Sequence, residues 1–104
     1  MEINQATLDK AVLYWTRQLP TSAATRSFAH DLEAGLKEAA KTEKEAVKLC
    51  SNDDDLPSND FTYVLATACS AHGIGTTAFR VAIMWVYPNQ VEVKEYGDRN
   101  FKTI

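Results

Sequence analysis

Apolar residues recur at helical spacing through the first part of the chain and at almost every position of a later stretch, and the two patterns predict two kinds of structure. Leu8, Ala11, Val12, Trp15 and Leu19 share one face of a helix that starts at Asn4 or Thr7 and stops before Pro20. Thr21 or Ser22 then offers a side-chain oxygen to cap a second helix, predicted over residues 22–49. Its stripe is Ala24, Phe28, Leu32, Leu36, Ala39, Ala46 or Val47, and Cys50, with Glu33 and Lys37 as a favourable i,i+4 pair. The stripe thins after Leu36, and Glu43 stands where an apolar residue would continue it. The second half is therefore an exposed arm, or Gly35, about 1 kcal/mol worse than Ala inside a helix, divides the segment in two.

Residues 51–60 are turn formers and read as a loop. Ser58, Asn59 or Asp60 caps a third helix over 61–72, with Phe61, Val64, Leu65, Ala68 and either Ala71 or His72 facing inward. Gly73 stands where a C′ glycine closes a helix.

The later stretch, 76–87, reads Thr-Thr-Ala-Phe-Arg-Val-Ala-Ile-Met-Trp-Val-Tyr and predicts a strand. Phe79, Val81, Ile83, Trp85 and Tyr87 point to one side, and Ala82, Met84 and Val86 to the other. Pro88-Asn89 suits a tight turn into a second strand over 90–96, and a turn at 97–100 leads to a short third strand over 101–104. Short connections imply an antiparallel meander in the order 1-2-3. The expected fold class is α+β: two or three N-terminal helices packed on a small C-terminal antiparallel sheet of two or three strands. One domain spans 1–104, with a helical part at 4–72 and the meander at 76–104. In this order the first strand is an edge that is apolar on both sides. Proteins usually cover such an edge, so the strand points to a partner: a target protein, or a second copy in a homodimer through 76–87.

Composition narrows the function classes. The chain has 104 residues, 45% hydrophobic and 24% charged, with a net charge of -3. That balance argues against nucleic acid or anionic lipid as the main partner. The negative charge is concentrated: Asp53, Asp54, Asp55 and Asp60 stand in a stretch, 51–75, that has no Lys or Arg. These aspartates are a candidate contact for a basic protein surface, set against the plainer reading of a solvated linker. The start lacks a basic n-region and an apolar h-region, and no run reaches the length of a membrane helix. The expected location is cytoplasmic, with Cys50 and Cys69 as reduced thiols.

No motif carries a catalytic, metal or nucleotide signature. Cys69 and His72 lie three apart on the third helix and are able to meet, but no basic residue nearby lowers the thiol pKa. A zinc site would also need Cys50 and His30, at spacings unlike the familiar finger patterns. The aspartate run lacks the glycine and closing glutamate of an EF-hand loop. The glycines at 73 and 75 follow a helix and precede a strand, the reverse of a phosphate loop. A helix followed by a hairpin resembles a helix and wing, so Arg80, Lys94, Arg99 and Lys102 are the residues by which a DNA-associated regulator would touch phosphate. Among aromatic residues, Trp15 and Trp85 are either interface anchors or the core where the first helix meets the sheet. Tyr14 points away from the Trp15 face and is the candidate exposed anchor, with Trp85 and Tyr87 as the strand's contacts. The expected function is protein binding without catalysis, cofactor or metal. The expected form is a small acidic inhibitor or adaptor, of the kind encoded by phages or by immunity and defence systems, that occludes a target surface.

Overall fold

A computed structural model describes residues 1–51, 60–75 and 78–104; the side chains of 60–63 lie outside that description. The order of elements is α1 (Gln5–Thr16), α2 (Ala23–Ala40), β1 (Val47–Cys50), α3 (Asp60–Ala71), β2 (Ala82–Val86), β3 (Val91–Glu95) and β4 (Lys102–Thr103). The strands form one antiparallel sheet in the order β1-β2-β3-β4, so the fold is α+β with three helices and a four-stranded meander.

Local chemistry sets the helix starts. The Asn4 side chain accepts a hydrogen bond from the Thr7 amide at 2.9 Å and caps α1. Ser22 does the same for α2, accepting from the Thr25 amide at 3.1 Å. Gly73, at φ 67°, closes α3 in the left-handed conformation that a side chain disfavours, and the Ile74 amide donates back to the Cys69 carbonyl at 2.9 Å.

The second helix differs from the expectation of 22–49. It runs through Gly35 without a break and stops at Ala40. Lys41, Thr42 and Glu43 then tighten the chain with bonds from their amides to carbonyls three residues back. Val47–Cys50, expected as the helix's last turn, is a strand. The residues alternate Val, Lys, Leu, Cys, and pairing with β2 satisfies the backbone while Val47 and Leu49 enter the core. Gly35 has a different use. A Cβ there would stand 2.9 Å from Val64 Cγ1, so the glycine lets α2 and α3 cross closely.

The added strand also changes the place of Ala82–Val86. It lies between β1 and β3 and is not the sheet edge that the three-strand order implied. It is shorter than 76–87 as well. Residues 76 and 77 lie outside the described residues, and around Phe79 the chain bends, which drops that ring into the core.

One core results. α1 packs on β2 and β3, while α2 and α3 pack on β1 and on each other. Trp15 is fully buried, with its ring edge-on to Phe79 at 5.3 Å, and Phe79 stacks on Phe28 at 5.8 Å. Leu8, Leu32, Leu36 and Leu65 fill the helical side, and Leu49, Met84, Val86, Val91 and Val93 the sheet side.

Candidate protein-binding face

Strand alternation gives the sheet two faces. Val47, Leu49, Ala82, Met84, Val86, Val91 and Val93 turn inward and are buried against the helices. The residues between them turn outward. The register sets them in rows: Lys48, Trp85, Glu92 and Thr103 lie side by side, and Cys50, Ile83 and Lys94 form the next row. Two further pairs extend the face along the strands. The Tyr87 amide donates to the Gln90 carbonyl at 2.9 Å, and the Tyr96 amide to the Val81 carbonyl at 2.9 Å.

This outer face is apolar at its centre and only partly covered. Ile83, Trp85 and Tyr87 are half-buried, Val81 is 42% exposed, Phe101 39% and Tyr96 90%. Lys48 holds its ammonium 5.5 Å from the Trp85 ring centre, and Lys94 6.0 Å from that of Phe101. The Tyr87 hydroxyl donates to Glu92 Oε1 at 3.3 Å. Burial first, and then the Glu92 carboxylate, pushes the Tyr87 hydroxyl above its ordinary pKa. Beside this face, α2, α3 and β1 border an open groove of about 740 Å³ lined by Gly35, Ala39, Ala46, Val64, Ala68 and Ala71. Asp31, Glu38, Glu43 and Trp85 also line it.

The expected site residues separate. Trp85 and Tyr87 share the outer face. Tyr14 does not join them, and its expected role as an exposed anchor is overturned. It is buried, packed edge-on against Trp15 at 5.0 Å, and its hydroxyl donates to Glu95 Oε2 at 2.8 Å. Burial, reinforced by that hydrogen bond and the Glu95 charge, raises its pKa well above the ordinary tyrosine value. The reason is the sheet: Glu95 at the inner end of β3 and Trp15 together make a slot that takes a tyrosine on the flank of α1. Asp53, Asp54 and Asp55 lie outside the described residues; Asp60 opens α3, and its side chain is outside them too. Trp15 is core, as one of its two readings had it, but its aromatic neighbours are Tyr14 and Phe79 and not Trp85.

Cys69 is buried in the core, and His72 Nε2 lies 2.6 Å from Asp31 Oδ2, tying the end of α3 to α2. Among the described residues, no group of three or more His, Cys, Asp or Glu side chains is placed to hold a metal ion. The four cations considered for DNA have different settings. Arg80 lies 3.7 Å from Glu95, Lys102 lies 3.7 Å from Asp98, Lys94 is on the outer face, and Arg99 is in the turn before β4. Among the described residues, no helix is long and apolar enough to cross a membrane.

Sequence reasoning missed Lys48 as a member of the face. The Val-Lys-Leu-Cys alternation was the available signal for Lys48, but the preceding helical stripe absorbed it. Comparison of the chain with family models, curated proteins and solved structures gives no match.

Proposed function

We propose that this chain is a small, acidic, non-catalytic protein-binding module, an inhibitor or adaptor, that acts by covering a surface of another protein with the outer face of its sheet. One observation carries the reading: the strands expose Val81, Tyr96 and Phe101 around half-buried Ile83, Trp85 and Tyr87 on the face opposite the core. Among the described residues, the large exposed hydrophobic side chains are Leu13, Val81, Tyr96, Phe101 and Ile104, and three of these five belong to this one face. Contiguous apolar exposure of this kind marks interaction surfaces, whereas scattered single residues do not. Aromatic residues with cations folded over their rings are also the residue types that dominate binding hot spots.

The test is capture from the native cell's lysate by the tagged chain and by a Trp85→Ala/Tyr96→Ala double variant, with and without nuclease. The expected result is a stoichiometric protein that survives nuclease and is lost with the double variant, whose circular dichroism matches the parent. Capture that the double variant leaves unchanged overturns the assignment of this face. Partners that vanish with nuclease move a nucleic-acid role ahead of it.

A further inference from the structure

We propose that the outer face is self-complementary and that, in the absence of a target, a second copy of this chain occupies it in a twofold dimer. The inference rests on the reading of this face as a protein-binding surface and names its resting occupant.

The argument is one of register and charge. A closed dimer of identical chains uses the same patch twice, so the patch must match itself under a twofold rotation. Two sheets pack face to face about 10 Å apart with strand directions within about 30° of each other. An axis in the plane of the interface keeps the strands aligned when it runs along them or across them, and one of each kind passes through the centre of the four rows. One runs along the strands between β2 and β3. It sets Glu92 of each copy on Trp85 of the other, and Lys94 on Ile83. Both charges would then lose water against apolar groups, which is costly. The other axis crosses the strands between the Trp85 row and the Ile83 row.

About that second axis the pairs change. Trp85 meets Ile83 of the second copy, and Glu92 meets Lys94 of the second copy, each contact occurring twice. One step further out, Tyr87 meets Val81 and Gln90 meets Tyr96. At the margins Lys48 passes over Cys50, and Thr103 over Phe101. No like charges oppose each other, the central residues Trp85, Ile83, Tyr87 and Val81 oppose one another, and the one acid on the four rows, Glu92, meets a base. Complementarity of this sort sets register and excludes wrong partners. A target would have to displace the second copy, so self-association would hold the face covered until a better ligand arrives.

The experiment measures solution mass by sedimentation over a wide concentration range for the parent, Glu92→Lys, Lys94→Glu, the Glu92→Lys/Lys94→Glu double variant, and an equimolar mixture of the two single variants. The parent is expected at twice the chain mass of 11.6 kDa. Each single variant sets like charges opposite each other twice and is expected to raise the dissociation constant by at least about tenfold. The double variant restores the dimer. The mixture also restores it, because Lys at 92 then meets Glu at 94 at one pair and the unchanged residues meet at the other; a variant that merely unfolds does not produce this rescue. A parent that stays monomeric, or a dimer indifferent to the swaps, overturns the proposal. A monomeric parent whose target capture is still lost with Trp85→Ala/Tyr96→Ala overturns the dimer and leaves the binding module standing.

Discussion

Met84 and Trp85 are consecutive residues of one strand, and they occupy opposite environments. Met84 is fully buried among leucines and valines with helices above it. Trp85, on the other face, is half-buried under the Lys48 side chain and borders open grooves. The same contrast runs across the sheet, from Val93 against Glu92 to Leu49 against Lys48. The inner face is packed as a protein interior, where each lost methylene is felt, so its residues serve stability. The outer face carries rings and charges that cover each other only partly, so its residues are free to serve recognition. A large apolar side chain is not by itself evidence of a core; what lies above it decides.

The largest effect expected inside is at Trp15, whose ring joins Tyr14 and Phe79. Trp15→Ala should cost about 3–5 kcal/mol, and urea unfolding should show the chain close to its stability limit. Met84→Ala should cost about 2–5 kcal/mol by the same measurement. A smaller loss would mean that the helix layer closes over the gap.

Gly35→Val tests how closely α2 and α3 are held. The new side chain meets Val64, whose branched end has little room to turn. A loss of about 1–3 kcal/mol is expected from overpacking, despite the better helix propensity of valine. A gain in stability would show that the helices separate freely.

Tyr14→Phe should cost about 1 kcal/mol, the net worth of its bond to Glu95. Its pH dependence sharpens the point. Because the folded state holds the tyrosine proton more tightly, its contribution is complete below the ordinary value of 10.0 and is lost as pH rises above it. The parent should therefore lose stability above about pH 10 more steeply than Tyr14→Phe in paired alkaline unfolding curves.

The smallest effect belongs to the outer face. Trp85→Ser should change stability by about 1 kcal/mol or less when measured on dilute protein. A loss as large as that of Met84→Ala would erase the distinction between the faces.

Much of the architecture was legible along the chain. Asn4 or Thr7 and Thr21 or Ser22 bracketed the first two helix starts, which the structure places at Asn4 and Ser22, and Gly73 marked the end of α3 and Pro88-Asn89 the turn between β2 and β3. These signals are local, because a cap or a turn is satisfied by residues within a few positions. Of the candidate face, the placement of Trp85 and Tyr87 on one side of the strand followed from alternation alone. Tyr14 was misplaced because helical periodicity treats the flank of a stripe as exposed, and only Glu95, far away in sequence, provides the partner that buries its hydroxyl.

By itself, then, the sequence determined the α+β class, the neighbourhood of the first two helix starts, the antiparallel meander and the two sides of β2, all set by side-chain period and short-range hydrogen bonding. Only the tertiary structure decided that residues 47–50 leave the helix to pair with β2, that Ala82–Val86 is an inner strand, and which of its two sides faces the helices. Those outcomes depend on contacts between segments distant in sequence. A four-residue segment able to continue a helix or pair as a strand takes the form that buries Val47 and Leu49 and satisfies its backbone, and that choice exists only once β2 is beside it.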